Sequence, residues 1–217
     1  MINTVLEKAL LYGIIEAIVP ESHTGRKTYS FIWRRTMKEL IKKMILASID
    51  SWTDDDIYAI SLFVYDDNDN PCKPTVTLGY NTERQVQEAL NIGFAEEDEA
   101  RWNYAFWLQN SAFVFGTDET AEAVKNWVSN NGFEYIDDDD AAYEKYQDGC
   151  EITQVFVNLL VEIVREIHEE KVLTGKFGKE LPVLIHELEY YDEIAEQNIR
   201  ANSEELVSEF AEWCRYC

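Results

Sequence analysis

The polar and apolar positions of this chain alternate between two kinds of run. Residues Ile57 to Tyr65 read Ile-Tyr-Ala-Ile-Ser-Leu-Phe-Val-Tyr, an uncharged stretch that follows Asp54-Asp55-Asp56 and stops at Asp66-Asp67-Asn68-Asp69-Asn70-Pro71. Near-continuous apolarity, β-branched and aromatic residues, and turn formers at the far end predict a central strand covered on both faces. Thr75 to Leu78 is its expected antiparallel partner across the polar turn, and Val183, Leu184 and Ile185, introduced by Pro182, form a second buried strand.

The other apolar runs have helical spacing. Ile2, Val5, Leu6, Ala9, Leu10, Ile14, Ala17 and Ile18 share one face, with Thr4-x-x-Glu7 as a capping box and Pro20 as the stop. Residues 21–29 read as a loop. Thr36-x-x-Glu39 predicts the start of a second helix, with Met37, Leu40, Ile41, Met44 and Ile45 apolar and Lys38, Lys42 and Lys43 off the stripe, ending near Ser48. A basic amphipathic helix suits a membrane surface or a partner's groove, but covering the protein's own sheet is the simpler expectation.

Further along, Thr82-x-x-Gln85 caps a helix carrying Val86, Ala89 and Leu90, and Glu96-Glu97-Asp98-Glu99 reads as a solvated acidic loop. Arg101-Trp102-Asn103-Tyr104-Ala105-Phe106-Trp107 is too aromatic to be left in water and is expected to anchor the core, a ligand platform being the sharper alternative. Phe113 to Phe115 predicts a short strand, and Asp118 a cap for a helix holding Val124, Trp127 and Val128 that ends at Asn130, Asn131 and Gly132. Asp137-Asp138-Asp139-Asp140 is expected to open the longest helical region, where the helix dipole favours carboxylates. Val155 to Ile167 continues as a helix to about Lys171, broken by Gly175 and Gly178. The last helix is expected to begin at Asn202 and to bury Leu206, Val207, Phe210 and Trp213. No internal repeat and no domain-separating linker is found.

These elements describe an α+β protein of one domain over residues 1–217. Its central, mostly antiparallel sheet is covered by amphipathic helices, with the helical segment 1–50 packing on 54–217. A chain of this length buries roughly 70% of its unfolded surface without needing disulfides. No run reaches the ~20 apolar residues of a membrane span, and no secretory leader is recognised, so the expected location is the cytoplasm. Cys214-Arg215-Tyr216-Cys217 has redox-pair spacing but falls at a helix end, where the dipole does not activate a thiol.

Charge changes the picture most. The formal net charge is −23, which opposes binding to nucleic acid and to anionic membranes and favours a basic protein partner. Within residues 23–43, seven bases stand against Glu39 alone, so +6 sits in one piece and −29 in the remainder. One part of the chain is therefore expected to neutralise another. The candidate binding residues are those of the acidic runs: Asp66, Asp67 and Asp69; Glu96, Glu97, Asp98 and Glu99; and Asp137, Asp138, Asp139 and Asp140.

Catalytic signatures are lacking: the chain has no phosphate-cradling glycine loop, no nucleophile elbow and no paired-histidine zinc helix. Asp66-x-Asn68-x-Asn70 opens like a calcium loop but carries Pro71 where glycine is needed and Thr77 where a bidentate glutamate is needed, so a hairpin turn is expected. His186-Glu187-Leu188-Glu189 lacks a second histidine, and His186 is expected to be satisfied by polar neighbours. Glu169-Glu170-Lys171 has the acid-x-lysine spacing of some nucleases, at a helix end of a chain that repels DNA. No residue is assigned a catalytic or metal-ligating role, and no cofactor is expected.

Asp56-Ile57-Tyr58-Ala59-Ile60, then Asn81-Thr82-Glu83, then Arg101-Trp102 with Trp107 resemble a bacterial family, domain of unknown function 4303. Leu181 to Asp192 and Ala201-Asn202 are similar to it as well, so the resemblance spans roughly Asp54 to the C-terminus. It implies a bacterial α+β domain and supplies no catalytic residues. The leading functional expectation is a non-enzymatic acidic protein that binds a basic partner, such as an immunity protein for a toxin. The alternatives are a metal-dependent hydrolase with carboxylates converging in the fold, and a structural subunit of an oligomer; the oligomeric state stays open.

Overall fold

The computed structural model describes residues 26–108, 111–146 and 151–216, with side chains from Met37 onward. The helix expected over residues 2–18 lies outside them. In chain order the elements are α1 (Arg26–Ser51), β1 (Ile57–Asp66), β2 (Pro74–Thr82), α2 (Glu83–Asn91), α3 (Glu97–Trp102), β3 (Phe113–Phe115) and α4 (Ala121–Asn130). Then follow α5 (Asp139–Tyr146), α6 (Glu151–Glu169), α7 (Val172–Phe177), β4 (Val183–His186), α8 (Asp192–Ala201) and α9 (Glu204–Tyr216).

The strands form one sheet in the order β3-β2-β1-β4. β1 runs antiparallel to β2, with Leu62 opposite Leu78, and parallel to β4, with Phe63 opposite His186. The protein is α+β with a mostly antiparallel sheet, and β1 is central. β2 extends past its apolar core to Thr82, because pairing with β1 satisfies the backbone over its whole length and Asn81 donates to the Tyr58 hydroxyl at 3.0 Å.

Alternate residues of the strands feed two cores. Ile60, Leu62, Val64, Val183 and Ile185 join α1, α4 and α6 in the larger one. Ala59 and Leu184 join Val86 of α2, Trp102 of α3, Ile194 of α8 and Phe210 of α9 in the smaller. A period of two along each strand sends neighbouring side chains to opposite faces, so a sheet covered on both sides must be apolar throughout.

Several helix boundaries differ from expectation. α1 is continuous from Arg26, so residues 26–29 are helical and Thr36 lies inside the helix; no glycine or proline interrupts it before Ser51. It, and not the Asp137–Asp140 region, is the longest described helix, since Asp139 opens only the short α5. Glu97, Asp98 and Glu99 form the first turn of α3 instead of a loop. Asp118 adopts a positive φ within a 3-10 turn and does not cap α4. Gly175 sits within α7, and the break after α6 comes at the left-handed Lys171. α8 and α9 are separate helices, and Asn202 ends the first instead of capping the second.

The basic stripe of α1 faces acids of α6. Lys38 Nζ reaches Glu166 at 2.6 Å and Glu162 at 3.2 Å, and Lys42 Nζ reaches Glu166 at 2.9 Å and Glu170 at 2.7 Å. Burial alone would lower both lysine pKa values; the bonds and charges of the glutamates outweigh it and leave them raised. The charge asymmetry of the sequence is thus partly internal complementarity between two helices.

β4 is at the edge of the sheet yet fully buried. Its outward backbone groups pair with amide side chains of α8 and its end. Val183 N donates to Asn202 Oδ1 at 2.9 Å, and Asn202 Nδ2 donates to Val183 O at 3.0 Å. Asn198 does the same for Ile185, where Gln197 adds a third bond. Two asparagines one helical turn apart match two residues two apart on a strand, and an exposed pairing edge is closed.

Candidate functional site

The aromatic segment after α3 is held from its backbone outward. The Arg101 carbonyl accepts from the Tyr58 hydroxyl at 2.5 Å and from Trp107 Nε1 at 2.8 Å. The Arg101 guanidinium lies 4.8 Å from the centre of the Tyr58 ring and forks onto Glu83, at 3.0 and 2.8 Å. Those bonds raise its pKa, against the effect of burial. Trp102 and Trp107 are buried, with Trp102 edge-on to Tyr58 and Phe210. The segment anchors the core, as the sequence predicts.

Trp102 has a second role. α3 packs on α9, and between them lies a cavity of about 420 Å³ lined by Asp98, Trp102, Glu209, Glu212, Trp213 and Tyr216. Asp98 and Trp102 are one turn apart on α3. Glu209, Glu212, Trp213 and Tyr216 follow the i, i+3, i+4, i+7 spacing that puts four side chains on one helix face. Trp213 is fixed by Tyr190, with ring centres 4.5 Å apart, while Tyr216 is exposed. Asp98, Glu209 and Glu212 have no ion-pair or hydrogen-bond partner among the described residues, although Glu209 is near enough to Arg101 to help raise its pKa. The site combines flat aromatic walls with carboxylates whose charge nothing within it neutralises, an arrangement suited to an organic cation.

Of the predicted binding residues, Asp98 lines this cavity and Glu96, Glu97 and Glu99 surround it in sequence, all exposed. Glu209, Glu212, Trp213 and Tyr216 were not expected as site residues. The helical spacing of Glu-x-x-Glu-Trp-x-x-Tyr is the signal the chain offers, but the apolar spacing of this helix places Trp213 in the core, and sequence does not say which helix faces α9.

The other two acidic runs converge on each other through α5. Lys73 Nζ bonds Asp139 at 2.7 Å and lies 3.6 Å from Asp137. Asn70 Nδ2 reaches the same Asp139 carboxylate at 2.8 Å while its Oδ1 accepts from Cys72 N. Asp138 caps α5 through Ala141 N at 2.9 Å. Asp139 is therefore tied down although its side chain stays partly exposed, and its pKa is lowered, first by Lys73 and then by Asn70. Asp66 accepts from Thr153, and burial pushes its pKa up to about 6, with Glu187 adding to the rise. Asp67 is half-buried, and Asp69 and Asp140 are exposed. Within the 66–70 segment Asp67–Asp69 form a 3-10 turn with Asn68 and Asp69 at positive φ, the hairpin connection expected of it. Among the described residues no group of three or more His, Cys, Asp or Glu side chains could hold a metal ion.

His186 gives the remaining chemistry-bearing pair. Its Nε2 is 2.7 Å from Ser61 Oγ, and its Nδ1 faces the Glu187 carbonyl at 3.1 Å, so Nδ1 carries the proton and Ser61 donates to Nε2. Both residues are 1% exposed, and Phe63, Tyr104, Trp107 and Tyr190 surround the ring. Burial pushes the His186 pKa down to about 4. A nucleophile needs access, and a triad needs a carboxylate at the far ring nitrogen; this pair has neither and serves as a polar pin between β1 and β4.

Among the described residues no helix is long and apolar enough to cross a membrane. No family model, no curated protein and no solved structure matches the chain.

Proposed function

We propose that this protein is a non-enzymatic acidic binding protein that recognises a basic protein partner through the surface built by α3 and α9. The observation that carries this reading is the cavity between those helices, where Asp98, Glu209 and Glu212 stand unpaired beside Trp102, Trp213 and Tyr216. Aromatic residues at a desolvated centre with a charged rim are the anatomy of protein-binding surfaces. Ile92 and Phe94, 75% and 67% exposed, add apolar area just ahead of the acidic first turn of α3. The net charge of −23 favours fast, salt-sensitive association with a basic surface.

A toxin that itself binds nucleic acid is one partner class of this chemistry, and an immunity role belongs to the same proposal. So does membership of domain of unknown function family 4303. The residues that suggest it are engaged in the fold: Asp56 receives Arg84 N, Asn81 bonds Tyr58, Arg101 bonds Glu83, and Asn202 bonds β4.

Affinity capture at low salt, with captured proteins identified by mass spectrometry, tests the proposal. A basic protein that is released by salt, and lost from a variant carrying Asp98→Asn, Glu209→Gln and Glu212→Gln but not from one carrying Asp137→Asn and Asp140→Asn, is the expected result. Capture that ignores both salt and the first triple substitution would overturn it.

A further inference from the structure

We infer that the cavity between α3 and α9 is an arginine slot, receiving one guanidinium side chain from the partner in preference to a lysine ammonium. The inference rests on the basic-partner reading and adds the chemistry of the contact.

The first ground is shape and charge together. Trp213 and Tyr216 lie three residues apart on α9, and Glu209 and Glu212 precede them on the same face. A planar delocalised cation stacks on aromatic rings and offers a fork of N–H donors to carboxylates; an ammonium is a compact, strongly hydrated point charge that loses more on leaving water. Three carboxylates around one opening provide more acceptors than a single ammonium can use at once, whereas a guanidinium has five donors.

The second ground is that the same protein already uses this grammar internally. Arg101 lies over the Tyr58 ring and forks onto Glu83, a stack and a bidentate bond on one side chain. Arg101 has Glu83 as its ion-pair partner, so it does not neutralise the cavity acids; Glu209 only adds to its field. The cavity repeats the ring-plus-carboxylate arrangement with no cation supplied by the described residues. Lysine side chains of this protein are met by carboxylates too, as Lys38 is by Glu162 and Glu166 and as Lys145 is by Glu134 beside the Tyr146 ring; what Arg101 adds is the two-donor fork onto one carboxylate.

Hexaarginine and hexalysine peptides carry equal charge and separate the possibilities by titration of indole fluorescence at low salt. Hexaarginine is expected to bind at least about tenfold more tightly, a difference of about 1.4 kcal/mol, and to change Trp213 emission. Tyr216→Ala, at an exposed position that leaves folding intact, and Trp213→Leu should each shrink the preference toward unity, while Asp137→Asn with Asp140→Asn should leave it unchanged. Equal affinities that both fall with the Asp98→Asn, Glu209→Gln, Glu212→Gln variant would sink the arginine slot and leave the basic-partner reading standing. A preference for hexaarginine that survives Tyr216→Ala and Trp213→Leu would also sink the slot. If neither peptide binds, both readings fail.

Discussion

Asn198 pairs with Ile185 as a neighbouring strand would, accepting from its N–H at 2.8 Å and donating to its carbonyl at 2.7 Å. A side chain on a helix thereby supplies what the sheet lacks at that edge, and both partners are buried. Asn198→Ala leaves the Ile185 N–H without a partner and its carbonyl with Gln197 alone. An orphaned buried donor costs about 1 to 3 kcal/mol, so the variant should lose about 3 kcal/mol with the removed bonds included. Urea denaturation measures the loss, and amide exchange at Ile185 should speed up more than at Leu62 in β1. Unchanged protection at Ile185 would contradict the pairing.

Acid should weaken the fold through His186. Its value of about 4 in the folded protein lies below the ordinary 6.5, so the stability it contributes is complete above pH 6.5 and is lost as pH falls toward 4, about 3 kcal/mol at most. The groups facing it are Ser61, Tyr104, Tyr190 and the Glu187 carbonyl, none of which offers an anion to hold a charged ring. Asp66 acts in the opposite sense. Its value of about 6 exceeds the ordinary 3.8, so its contribution is present below pH 3.8 and lost as pH rises through 6. Asp66→Asn should therefore steepen the acid loss between pH 6.5 and 4, and His186→Gln should flatten it. Urea midpoints across that range decide the matter; a His186→Gln slope equal to that of the wild type would refute it.

Gly116 should tolerate no side chain. Its φ is +120, and a Cβ there would meet Thr75 Oγ1 at 2.7 Å and Pro74 O at 2.9 Å, where β3 joins β2. Gly116→Ala combines a disfavoured backbone with a clash against main chain, and should cost more than about 2 kcal/mol. Gly132→Ala, also at positive φ but in open space, should cost less. Thermal unfolding of the two variants ranks them.

The lysine ladder should be dominated by one acid. Glu166 bonds both Lys38 and Lys42, whereas Glu170 bonds Lys42. Glu166→Gln is expected to cost about 1 kcal/mol and Glu170→Gln less than half of that, because the Glu170 side chain is 54% exposed. Both losses should shrink in salt. Equal losses would refute the ranking.

The charge-free run of β1, the Val-Leu-Ile of β4, the β2 hairpin and the Thr82 cap are visible in the chain because each depends on neighbours within a few residues. Thr82 Oγ1 does accept from Gln85 N at 3.2 Å. Local signals misplaced the start of α1, since a Thr-x-x-Glu pattern is equally compatible with a helix interior when the preceding residues can be helical. The acidic run at Glu96–Glu99 was legible as exposed charge, yet only one of its members, Asp98, lines the cavity.

What the sequence determined alone is the alternation that forces a doubly covered sheet, the size of the negative charge, and the polarity of each helix face, all properties of short stretches. The tertiary structure decided which faces meet. It set β4 parallel to β1, turned Asn198 and Asn202 into a substitute strand, spent the basic residues Lys38 and Lys42 on α6, and left the acids of α3 and α9 unspent beside their rings. The reason is that contacts across a hundred residues depend on how apolar surfaces pack together, and a linear pattern holds the surfaces but not their pairing.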